Sequence, residues 1–134
     1  MRGAIFENMI VMEAIKHRYN MGLEGGVFFY RDSNQNEVDL LIKQEGELTA
    51  IEVKSSMTYS SSFEKALTQI EGWIKTPISK KAIVYSGDFE NTSGNINLIN
   101  YRHISSILWV FIIQDKVLFL CYRGSPLLFS MPNR

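Results

Sequence analysis

At 134 residues, 46% of them apolar, the chain has material for one domain with a proper core and too little for two. Fourteen Lys plus Arg balance fourteen Asp plus Glu, so no global field draws the protein onto nucleic acid, and any such binding needs a local patch. A lone Cys121 excludes an intramolecular disulfide framework and fits a reducing cytoplasm, where it reads as a small buried hydrophobe.

Residues 4–19, AIFENMIVMEAIKHRY, set Ile5, Met9, Met12 and Lys16 along one stripe and Phe6, Ile10 and Ala14 beside it. That spacing predicts a first helix with a broad apolar face. Glu7 inside the apolar stretch and the lack of a small-residue cleavage site argue against a signal peptide. The helix starts almost at Met1 with no capping residue in front of it, as expected of a piece of a longer chain. MGLEGG ends it, VFFYR follows as an aromatic strand, and DSNQNE is a polar turn.

VDLLIK (38–43), QEGE and LTAIEVKSS (48–56) form the pattern of a β-hairpin, with either a two-residue or a four-residue loop. In either case Asp39 falls opposite Glu52, Leu41 opposite Ala50, Lys43 opposite Leu48, and Lys54 opposite Glu37. By the two-residue alternation of strands, the other face carries Val38, Leu40, Ile42, Ile51 and Val53 and is core. Ser61-Ser62-Phe63-Glu64 has the capping-box pattern, predicting a helix over 62–75 with Ser61 as N-cap. Pro77 stops it, and KAIVYSG reads as a buried strand parallel to the second hairpin strand. INLINY is a further short strand.

The tail ILWVFIIQDKVLFLCYRGSPLLF is the most apolar part of the chain. A membrane span needs ~20 predominantly apolar residues, and Gln114, Asp115 and Lys116 cut this run into two short halves. A strand pair turning at Gln-Asp-Lys is expected. Left unpacked, it would be a partner surface, and a homo-oligomer could form through it.

The chemistry concentrates on the hairpin. Like charges directly opposite on neighbouring strands destabilise by a few tenths to about 1 kcal/mol, and a cation between Asp39 and Glu52 reverses that sign. Two carboxylates on rigid strands, with positions left for water and phosphate oxygens, suit Mg²⁺ or Mn²⁺. Lys54 projects from the same face as Glu52, where its ammonium can position a water or offset charge on a phosphoryl group. The plain alternative is an amphipathic hairpin with a solvated charged face, Lys54 paired to Glu37 and Glu52 to a neighbouring lysine. Gln69 reads as a solvated helix position. His17 and His103 have no partners at metal-ligand spacing, and Met9, Met12 and Trp73 read as core.

Helix Glu7, then Asp39, then Glu52-Val53-Lys54 resemble the E…D…ExK signature of the PD-(D/E)xK nuclease superfamily. More narrowly, GAIFENMIVMEAIK, FFYRDSNQNEVDLLIK and LTAIEVKSS, with the INLINYR close, resemble the uncharacterised C-terminal domain of many prokaryotic AAA+ ATPases, over about three quarters of the chain. The resemblance implies a restriction-endonuclease-like α/β fold: a mixed sheet with a helix on either side, the first carrying Glu7 over the charged hairpin face and the 62–75 helix covering the other. It implies a nuclease-like domain over 1–102 and leaves 103–134 as an apolar extension packed on the same domain. It assigns Asp39 and Glu52 to the metal with Glu7 assisting, and Lys54 to the nucleophile, and it offers Gln69 as a phosphate contact. Here Val38 stands where the motif name has Pro, and no GxxxxGK[ST] loop occurs, so ATP binding is not carried over. Two functions follow as expectations: a Mg²⁺-dependent DNA nuclease, or an inactive nuclease-fold module that binds DNA or protein and serves an ATPase. Either is expected in the cytoplasm.

Overall fold

A computed structural model describes residues 2–108, with side chains from Gly3 onward, and the backbone of 112–114, 117–122 and 125–130. The first helix, α1 (Arg2–Asn20), ends where Leu23 N–H donates to the Arg18 carbonyl across Gly22 at φ 70°, a Schellman-type stop that glycine adopts without strain. Strands β1 (Val27–Arg31), β2 (Glu37–Gln44), β3 (Glu47–Lys54), β4 (Ile78–Tyr85) and β5 (Asn97–Asn100) form one sheet in that order. The first three are antiparallel and the last two join in parallel, so the sheet is mixed as expected. Between β3 and β4 the chain runs through a short 3-10 turn, α2 (Lys65–Gln69) and a second 3-10 turn. It is less regular than the helix expected over 62–75, and its cap is Ser60, one residue earlier than the sequence pattern indicates.

The β2–β3 hairpin keeps the expected register from Leu40–Ile51 to Gln44–Glu47. Its loop is the two-residue form: Glu45 and Gly46 both have positive φ, 50° and 84°, as a hairpin turn that follows the strand twist requires. Departures gather at the other end. Phe28 pairs with Leu41 but Tyr30 with Val38, so β2 uses one residue more than β1 across Asp39 and Leu40, a β-bulge. The bulge breaks strict alternation. Val38, expected beside Leu40 and Ile42, lies with Leu41 and Ala50 on the opposite face.

Each face of the sheet has its own core. Leu40, Ile42, Ile51, Val53, Ala82 and Val84 pack against Ile10 and Ala14 of α1 and against Ile104, Ile107 and Leu108, the last two in α3 (Ser105–Leu108). Val38, Leu41, Leu48, Ala50, Ile83 and Tyr85 pack against Leu67 and Ile70. Helices lie on either side, but their assignment is the reverse of the expected one: α1 covers the wholly apolar face and α2 the face carrying Glu52 and Lys54. The Phe6–Ile10–Ala14 stripe of α1, with Val11 beside it, covers the sheet. Ile5, Met9 and Met12, rotated away from it, are exposed, which corrects the reading of both methionines as core, while Trp73 is half-buried.

The tail contributes a second, three-stranded antiparallel sheet, β6 (Ile112–Gln114), β7 (Val117–Tyr122) and β8 (Ser125–Ser130). The expected pair around Gln-Asp-Lys is present as β6 and β7, and β8 adds a third strand. The Cys121 side chain and the packing of the tail lie outside the described residues. Among those residues no helix is long and apolar enough to cross a membrane.

Candidate metal and phosphodiester site

The site grows from the irregular end of the hairpin. Past the last regular pair, Leu40–Ile51, the half-buried Asp39 turns its carboxylate toward β3, where Oδ2 accepts the Val53 N–H at 2.7 Å. Glu52 is only 4% exposed, wedged where its strand pairs with the fully buried Ile83 of β4. The Asp39 charge lies close enough to Glu52 to act on its carboxyl. Lys54 completes the group, its Nζ 3.0 Å from Glu52 Oε2. Thus Lys54 pairs with Glu52 and not with Glu37, which the bulge leaves opposite Arg31 of β1.

Burial penalises the charged form of every member. It pushes the Glu52 carboxyl up to about 7, with the Asp39 charge adding to the shift and Lys54 opposing it. Burial also raises Asp39, against the Val53 N–H and Lys54. For Lys54 burial works the other way, but the Glu52, Asp39 and Glu37 carboxylates outweigh it and its pKa is raised. One atom stays unsatisfied: Glu52 Oε1 is buried without a hydrogen-bond partner.

Glu7 is half-buried on α1, its pKa raised by burial and then by Asp39 and Glu37. It feels the pair's field without closing on it. Among the described residues no three His, Cys, Asp or Glu side chains converge on one metal position. The structure therefore brings together Asp39, Glu52 and Lys54 and leaves Glu7 outside their contact. His103 lines a different cleft, with its Nδ1 2.7 Å from Glu90 Oε1. His17 is half-buried on α1, and burial lowers its pKa.

Beside Glu52 and Lys54 opens a cleft of about 250 Å³, walled by Gln35, Asn36 and Glu37 on one side and by Ser62, Phe63, Lys65, Ala66, Gln69 and Trp73 on the other. Of these walls the sequence pointed only to Gln69. The DSNQNE run announced a turn, built here around Asp32, whose carboxylate accepts from the Asn34 and Asn36 N–H groups. No spacing rule places that turn across from α2.

Residues 2–104 match the family described as Domain of unknown function (DUF4143). Neither a curated protein nor a solved structure matches the chain.

Proposed function

The chain belongs to the DUF4143 family, a domain of unknown function, and from that premise we propose a Mg²⁺- or Mn²⁺-dependent DNA endonuclease-like domain. It hydrolyses phosphodiester bonds on a restriction-endonuclease-like sheet, and derives from the C-terminal domain of an AAA+ ATPase. One observation carries the reading: Glu52 Oε1 is a buried carboxylate oxygen with no partner, in a strand whose neighbour presents Asp39. An unsatisfied buried acceptor costs roughly 1–3 kcal/mol, more when charged, and two carboxylates in one low-dielectric place repel. A hard divalent cation would satisfy both conditions, and an all-oxygen donor set suits Mg²⁺ or Mn²⁺.

Asp39 and Glu52 would hold the ion, with Glu7 adding negative field from α1. When bound, the cation supplies Lewis-acid charge against a phosphoryl oxygen. Lys54, anchored by Glu52 Oε2 and about one-third exposed, presents its ammonium at the cleft, where it would orient the attacking water or offset charge on the phosphoryl group. Partners under this reading are DNA and an AAA+ ATPase chain or domain, in the cytoplasm, with the apolar tail available for homo-oligomer contacts.

A second reading rests on the Lys54–Glu52 ion pair and on Glu7 standing apart: Lys54 already neutralises part of the acid pair, as in an inactive module that binds DNA or protein. Supercoiled plasmid in Mg²⁺ or Mn²⁺ separates the two. Nicking by the wild type that disappears in Asp39→Ala and Lys54→Ala supports the nuclease. Equal nicking by all three, or none by any, sinks it. Titration calorimetry with Mn²⁺ adds a readout independent of turnover, with heat expected for the wild type and absent for Glu52→Gln.

A further inference from the structure

We propose that the cleft beside Glu52 and Lys54 receives one unpaired nucleotide, so that the substrate class of the site is single-stranded or frayed DNA and not intact duplex. The inference rests on the nuclease reading above and deepens it. The first ground is size. The cleft has a volume of about 250 Å³, on the scale of a single nucleotide, and Glu52 in its wall is only 4% exposed. A strand presenting its phosphate to Glu52 and Lys54 would set an adjoining unpaired nucleotide against these walls.

The second ground is the chemistry of those walls. Trp73 is braced by Tyr30, the rings stacked at 5.6 Å and 9°, and Phe63 is held edge-on by Tyr59 at 6.1 Å with Lys54 Nζ 5.9 Å from its centroid. Rings fixed in this way give a base an apolar surface at little entropic cost. Gln35, Asn36 and Gln69 line the same space, and each side-chain amide offers both a donor and an acceptor to a base edge. The third ground is charge. With no net charge, no global field draws two phosphate backbones onto the chain, so short-range stacking and hydrogen bonds at the cleft carry the grip on DNA.

The test uses the full chain with Ca²⁺ and a short fluorescein-labelled oligothymidylate, free or annealed in a blunt duplex with oligodeoxyadenylate, followed by anisotropy. The single strand is expected to bind at least about tenfold more tightly, the scale of one stacked base. Gln69→Ala, at an exposed position outside the core, and Phe63→Ala are expected to remove most of that preference, with circular dichroism confirming that both fold. Equal affinity for the two forms overturns the proposal, as does a preference that both variants retain. Neither result touches the metal site, which the Mn²⁺ titration judges separately. Loss of that Mn²⁺ signal in the wild type would instead remove the reading on which this one rests.

Discussion

The two faces of the sheet make opposite use of β3. Toward α1, the Ile51 and Val53 side chains join an apolar core that runs from Ile10 to Leu108. Toward α2, Leu48 and Ala50 continue a similar core, and then, within the same strand, Glu52 and Lys54 take the next two positions on that face. The difference shows that the candidate site is not a polar patch laid on a finished fold. Ile83 and Tyr85, which pair with Glu52 and Lys54, bury the charges that define the site, and this burial raises Glu52 to about 7. Core packing and the candidate site are one arrangement at that end of the sheet.

The largest effect expected from breaking this contrast is on the α1 face. Ile51 is fully buried, and Ile51→Ala should cost about 2–5 kcal/mol by lost transfer energy and the cavity left behind, read from urea denaturation. On the other face, Glu52→Gln should do the reverse above neutral pH. With the folded pKa at about 7 and the unfolded value near the usual ~4.5, the native state keeps a proton that the unfolded chain has released. Metal-free stability should therefore be full below pH ~4.5 and fall by on the order of 3 kcal/mol as pH rises to ~7, then level off. Glu52→Gln should lack that part of the pH dependence. Melting curves across this range, in EDTA, decide it, and a wild type whose stability rose relative to the variant over the same window would show that Glu52 is not held protonated.

Much of this contrast was legible in the sequence. Period-two alternation and the QEGE turn placed Leu41 opposite Ala50 and Lys43 opposite Leu48, as observed, because local spacing determines hairpin register. The mixed sheet followed from strand–helix–strand order. The bulge at Asp39 was not legible: it depends on how β1 pairs with β2, and no local pattern in VDLLIK marks it. It moved Val38 to the other face, and the regular β2–β3 pairing stops at Leu40–Ile51, short of Glu37 and Lys54. Nor could α1 be assigned to a face, since its two adjacent stripes are about equally apolar and only docking selects one. The cleft walls were missed for the same reason, as they join segments distant in sequence.

A smaller effect tests how α2 is fixed over the charged face. Ser60 Oγ accepts the Ser62 N–H at 3.4 Å, a long bond, so Ser60→Ala should cost roughly 0.5–1 kcal/mol. Ser61→Ala, at the position the capping-box pattern favours, should cost less than Ser60→Ala. The reverse order in paired urea melts would mean that the helical segment begins one residue later, shifting Phe63 and Gln69 around its axis and away from the cleft.

The smallest expected effect concerns the outer stripe of α1. Met12 is 60% exposed and Ile10 1%, although they are only two residues apart, because a helix turns about 100° per residue and the sheet covers one stripe. Met12→Gln keeps helix propensity nearly unchanged, so it should alter stability by no more than about 0.5 kcal/mol. Ile10→Ala, by contrast, should lose about 2–5 kcal/mol. Comparable losses for the two substitutions would mean that α1 is rotated about its axis. Glu7, three residues before Ile10 on the same helix, would then rotate with it, and its placement outside the Asp39–Glu52 pair would have to change.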